Sequence, residues 1–112
     1  MKNELFILWT TDDPITSEKM LCMYAHNSVL KGWWDEVNVI IWGASAKYAA
    51  NDKSIQNLLA QMMKDGINVS ACKACADQLG VGTHLANIGI EVKYWGEPLT
   101  EILKNNQKLI TI

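Results

Sequence analysis

Apolar residues arrive along this chain in short bursts with two rhythms. Leu5-Phe6-Ile7-Leu8-Trp9 is a continuous run of strand length, as expected of a strand covered on both faces. Thr10 to Pro14 breaks it. Thr16 or Ser17 is placed to cap a helix reaching about Lys31, with Glu18 in its first turn. The apolar residues Met20, Leu21, Met23, Tyr24, Ala25, Val29 and Leu30 cover a wide arc of that helix. So wide an arc predicts contact with the sheet and with a second surface. Gly32 is the stop.

Val37 to Trp42 predicts a second strand, closed by Gly43. The small-residue stretch GASAKYAA from Gly43 reads as a loop leading into the next helical region, which Asp52 caps. Ile55, Leu58, Leu59, Met62 and Met63 then follow helical spacing, with Lys64 in the last turn and Gly66 as the stop. Ile67 to Ala71 predicts a third strand that runs straight into Cys72. A short helix from Lys73 to about Gly80 follows, then a turn from Thr83 to Ile88 ended by Gly89. Ile90 to Trp95 alternates like a strand with one less buried face. Pro98 suits the first helical position of a helix reaching about Asn105, and Lys108 to Ile112 is a last strand. Strict alternation with short links predicts an α/β fold: three-layer α/β/α with a five-stranded, mostly parallel sheet, residues 1–112 forming a single domain.

Composition narrows the function classes. Apolar residues make up 49% of the 112, enough for a core, and the net charge is −2. All ten cationic residues are lysine, so the bidentate groups that usually read phosphates and base edges are missing. Nucleic acid is therefore not an expected partner. The first apolar run is too short and too early for a signal peptide, and no segment is long enough to span a membrane. A cytoplasmic protein is expected. In a reducing compartment its three cysteines point to reactive, metal-binding or buried thiols rather than to a disulfide framework.

The chemistry concentrates at Cys72-Lys73-Ala74-Cys75. Ligands of open parallel sheets bind outside the carboxyl ends of the strands. Those ends fall here at Thr10 to Asp13, Gly43 to Lys47, Cys72 to Cys75, and Trp95 to Glu97. Cys72 leaves a strand at the start of a helix, where free N–H groups and the Lys73 charge favour a thiolate. Cys75 is one turn further on, facing either Cys72 or the core. The plainer reading is a small buried hydrophobe after a strand. Zinc is the weaker option, because one C-x-x-C supplies two ligands of the four a structural site needs. His26 reads as a helix-surface or interface residue and His84 as a solvated turn residue. Cys22 reads as packing.

Asp12-Asp13 reads as an Asx turn before the proline, the alternative being a metal or acid/base site at the strand end. Lys47 is either a solvated lysine or an attractor of anionic substrate near Cys72. Neither a phosphate-binding loop nor a dinucleotide fingerprint is present. Five tryptophans are many for this length. The Trp33-Trp34 pair after a helix end, with Trp9, Trp42 and Trp95 at strand ends, predicts interfaces and a homo-oligomer.

The ordered set ELFILWTTDD, VNVIIWGASAKYAA, GINVSACKACADQLGV and GIEVKYWGEPLTEIL resembles the DsrE/DsrF-like family over nearly the whole chain. That resemblance implies a small α/β protein assembled as a trimer or hexamer. In the family's sulfur-relay branch, a cysteine after the third strand carries sulfane sulfur as a persulfide between donor and acceptor proteins, without a cofactor. The matching position is Cys72. The additional Cys75 departs from the one-cysteine pattern: a resolving thiol three residues away would expel sulfide and close a disulfide. Thiol redox switching, a metal-binding module using Cys72 and Cys75, and non-catalytic small-ligand binding are the alternatives.

Overall fold

The computed structural model describes residues 2–112. Five strands, β1 (Glu4–Trp9), β2 (Glu36–Ile41), β3 (Asn68–Cys72), β4 (Glu91–Lys93) and β5 (Lys108–Thr111), form one sheet in the order β4-β3-β2-β1-β5. Every pairing is parallel. The helices are α1 (Pro14–Thr16), which runs through a π-helical stretch (Ser17–Cys22) into α2 (Met23–Leu30), then α3 (Ala44–Asn51) and α4 (Lys53–Lys64). α5 (Lys73–Leu79), α6 (Gly82–Asn87) and α7 (Gly96–Lys104) complete them.

The strands alternate side chains between two unequal faces. Leu5, Ile7 and Trp9 of β1, Val37, Val39 and Ile41 of β2, and Val69 and Ala71 of β3 belong to one large core with Leu21, Ala25, Ile55, Leu59 and Leu85 from the helices. Phe6, Ile40 and Cys72 point the other way, into a smaller cluster with Trp95 and Ile102. That second face is covered by α7, which lies on the crossover from β4 to β5 at the opposite edge. The two helical layers and the sheet make the expected three-layer α/β/α fold. Among the described residues, no helix is long and apolar enough to cross a membrane.

Local details depart from the sequence expectation at several points. The first helix is capped by Asp13, whose carboxylate accepts from the Thr16 N–H at 2.8 Å, with Pro14 at the first turn. The aspartate before the proline is thus a helix cap, not an isolated Asx turn: proline's fixed φ suits the first helical turn and lets the helix start early. Ser17 is free of capping duty and is buried, accepting a hydrogen bond from Trp9 Nε1 at 3.2 Å. GASAKYAA is helix α3, not a loop. Its buried residues Ser45, Ala46, Ala49 and Ala50 are too small to print an apolar stripe, yet alanine is the strongest helix former and permits close approach to the sheet.

The third strand extends one residue further than expected and includes Cys72. Fourth-strand pairing stops at Lys93, because β4 is a short edge and Trp95 already caps α7. Pro98 consequently sits in the third rather than the first position of α7, still within the first turn, where a missing N–H costs nothing. Gly66 and Gly80 end α4 and α5 at positive φ, as their sequence positions indicate.

Candidate functional site

The connection after β3 runs through α5 on the large-core face, whereas the connection after β4 runs through α7 on the opposite face. The carboxyl ends of β3 and β4 therefore form the topological switch point, where open α/β sheets leave a crevice. Cys72 is the last residue of β3, paired in register with Lys93 of β4. It is also the residue that caps α5, with an extended backbone at φ −68° and ψ 116°.

A cavity of about 900 Å³ opens beside this point. Its lining includes Cys72, Cys75, Trp42, Gly43, Lys47 and Tyr48, so the two thiols of the C-x-x-C share one wall. All three cysteines are free thiols. Cys72 is only 2% exposed, packed in the cluster with Trp95, Phe6 and Ile40. Trp95 is held by a hydrogen bond from its Nε1 to Ser70 Oγ at 2.9 Å, and Lys93 Nζ lies 4.5 Å from its ring centroid. Cys75 is half-buried and packs against both clusters.

Gly43 addresses Cys75 directly. Its N–H donates to Cys75 Sγ at 3.1 Å, and its carbonyl oxygen lies 3.8 Å from the same sulfur. The backbone of one residue thus offers a donor for a charged sulfur and an acceptor for a protonated one. The conformation that turns both groups toward the sulfur has φ +79° and ψ −138°, in the half of the map that favours glycine. A Cβ there would meet nothing closer than Thr10 O at 3.9 Å, so the requirement is conformational rather than steric. Ser45 fixes the turn by donating to Trp9 O at 2.6 Å and accepting from the Trp42 N–H at 3.2 Å. The Gly43 contact was the feature sequence reasoning missed. A glycine at a strand's carboxyl end was its only trace.

Lys73 does not serve Cys72 as expected. Its ammonium pairs with Asp77 at 3.1 Å one turn along the helix, and this partner raises its pKa. Lys47 is exposed at the cavity rim, and Asp12 also lines it. Tyr48 presents a phenol whose pKa is pushed up, first by burial and then by the Asp52 carboxylate. It is accordingly a hydrogen-bond donor at neutral pH. Asp52 is occupied as the cap of α4, accepting from the Ile55 N–H at 2.9 Å.

Other singled-out residues lie elsewhere. Cys22 is buried in the large core, and burial pushes its thiol up to about 12, with Glu18 adding to the effect. His26 reaches across to α4's end, its Nε2 at 2.6 Å from Asp65 Oδ2. His84 is exposed on α6. Among the described residues, no group of three or more His, Cys, Asp and Glu side chains is arranged to hold a metal ion. The tryptophans are not one class. Trp9 and Trp95 are core residues, Trp42 lines the cavity, and Trp34 donates to Tyr24 Oη at 3.1 Å. Trp33 alone is more than half exposed.

No family model matches the chain, and no curated protein does. Solved structures do. The chain has the fold of MTH1491, a protein of unknown function from Methanobacterium thermoautotrophicum, at 12% identity over the whole of both chains with a TM-score of 0.78. It has the fold of the ychN protein from E. coli at 14% identity, again over both whole chains, with a TM-score of 0.73. The conserved protein of unknown function BT1422 from Bacteroides thetaiotaomicron is similar at 47% identity over 98% of this chain and 95% of that one, with a TM-score of 0.96. At that identity and coverage, the chain belongs to the same family as BT1422.

Proposed function

We propose that this chain is a DsrE/DsrF-like sulfur-relay protein that carries sulfane sulfur as a persulfide on Cys72. The observation behind this reading is that two free thiols, Cys72 and Cys75, line one cavity at the carboxyl ends of β2 and β3. A thiolate attacks the outer sulfur of a donor persulfide, the donor S–S bond breaks, and the donor leaves as a thiolate. Repeating the exchange hands the sulfur to an acceptor. The cluster around Cys72 shields the loaded sulfur from solvent.

A second reading is favoured by the shared cavity wall. If Cys75 attacks the Cys72 sulfur rather than the outer one, sulfide leaves and a Cys72–Cys75 disulfide closes. Net, the sulfane sulfur is reduced and the two thiols are oxidised. The deciding experiment exposes wild type, Cys72→Ser and Cys75→Ser to a persulfide donor and maps the products by peptide mass spectrometry. Once loading is complete, added sulfur on Cys72, retained or increased in Cys75→Ser, is expected for carriage. An intramolecular disulfide without retained sulfur selects the redox reading. Unmodified cysteines in all three proteins remove both.

Free thiols fit a reducing, cytoplasmic setting. Self-association as a trimer or hexamer belongs to the same proposal. It is supported by the exposed apolar residues Ile15, Met20, Met23, Leu30 and Trp33 on or beside the first helical segment. Light scattering on the eluting protein tests it, and a monomer at all concentrations removes it.

A further inference from the structure

The cavity is far larger than the single sulfur atom that the proposed chemistry moves. At about 900 Å³ this open cleft is in the size range of sites that take small organic ligands. Trp42, Leu79 and the Tyr48 ring give it apolar walls, while the Tyr48 phenol, Asn51 and Gln78 supply polar groups. The two thiols on its wall are also unequal. Cys72 is almost fully covered, whereas Cys75 is half-buried and held by the backbone N–H and carbonyl of Gly43.

On the sulfur-carrying reading above, we infer that the cavity takes a low-molecular-weight organic persulfide, and that Cys75 receives the sulfur before it passes to Cys72. The Cys75 thiolate attacks the outer sulfur of R–S–SH. A Cys75 S–S bond forms, the donor S–S bond breaks, and R–S⁻ leaves with the electron pair. The outer sulfur keeps its proton. Cys72, as thiolate, then attacks that same outer sulfur, and Cys75 departs as thiolate. Each step trades one S–S bond for another, so no oxidant or reductant is consumed. The Gly43 N–H is placed to stabilise the charge that returns to Cys75 Sγ in the second step.

The test compares loading rates of wild type, Cys75→Ser, Cys72→Ser and Ala44→Trp. Ala44 is an exposed residue of the cavity lining, so its replacement narrows the cavity without disturbing the core. Each protein is given glutathione persulfide or, separately, the inorganic anion HSS⁻, and quenched samples are read by peptide mass spectrometry. With glutathione persulfide, Cys75→Ser should load Cys72 more than about tenfold slower than wild type, and Cys72→Ser should accumulate sulfur on Cys75. Ala44→Trp should slow loading from glutathione persulfide but not from HSS⁻. If Cys75→Ser loads Cys72 at the wild-type rate, the receiving role of Cys75 is overturned while sulfur carriage stands. If Ala44→Trp slows both donors equally or neither, the organic persulfide is overturned as the ligand. Failure of either cysteine to retain sulfur from either donor removes this inference together with the reading it rests on.

Discussion

Cys22 and Cys75 both sit on helices packed against the same face of the sheet, but their surroundings differ in kind. Around Cys22 the chain builds interior: Leu21, Ala25 and Trp9 are fully buried beside it in the core, and burial pushes the thiol up to about 12. Around Cys75 the chain leaves a cavity and turns a backbone peptide toward the sulfur. Tyr48 stands between the two regions, its ring edge-on to Trp9 at 6.2 Å while it also lines the cavity. A cysteine in a core is a small apolar residue, and a cysteine with a donor and an approach path is a reagent. The difference lies in what surrounds the sulfur.

The largest effect that would break this comparison is alkylation. With a pKa near 12, Cys22 holds only about one part in ten thousand as thiolate at pH 8. It is also 6% exposed. Iodoacetamide labelling of the native protein, read peptide by peptide, should therefore modify Cys75 more than about a hundredfold faster than Cys22. Comparable rates would mean that the interior around Cys22 opens readily, and the contrast would fail.

The two regions were also unequally legible in sequence. Long periodic segments such as Ile55 to Met63 announced their helix, and the alternation of runs announced the parallel sheet. Cys22 on an apolar helix arc read as packing and is packed. The cavity was legible only as a position: Cys72 falls at a strand's carboxyl end. What completes it was silent. Helix α3 buries alanines and a serine, which leave no stripe, and the Gly43 N–H is a backbone group with no side-chain signature. Lys73 misled for a related reason, since a partner four residues along the helix claims its charge more readily than a sulfur at the cap.

Gly43→Ala tests the cavity side at the backbone. The native φ of +79° is strained for alanine, and the expected loss is about 1–3 kcal/mol in chemical denaturation. Because relaxation of that strain swings the N–H away from Cys75, labelling of Cys75 should change as well, while Cys22 stays protected. A stability loss with unchanged Cys75 labelling would show that the Gly43 peptide holds the fold but not the sulfur. Ser17→Ala tests the interior side. It strips the buried Trp9 Nε1–H of its acceptor and should cost about 1–2 kcal/mol with little effect on Cys75 labelling. A neutral result would mean that water replaces the hydroxyl, so that the region around Trp9 and Cys22 is less dry than its burial indicates.

The smallest expected effect is a pH dependence at the far end of the interior region, where α2 meets the end of α4. His26 Nε2 lies 2.6 Å from Asp65 Oδ2, and Gln61 Nε2 donates to the same oxygen at 3.2 Å. These partners, His26 first, hold the Asp65 carboxyl below its ordinary value. A depressed folded-state pKa stabilises the protein above the unfolded-state pKa of an aspartate. That stability is lost as pH falls through the folded value, because protonation removes the charge the hydrogen bonds favour. Denaturation midpoints should therefore drop on acidification across the carboxylate range, and His26→Ala should flatten part of that drop. The pair is partly exposed, so added salt should flatten it too. Labelling of Cys75 should be indifferent to His26→Ala, since the cavity is built at the carboxyl ends of the strands and this pair lies at the end of α4 that leads into β3. A Cys75 rate that followed the state of Asp65 would join the two regions into one cooperative unit and remove the distinction between them.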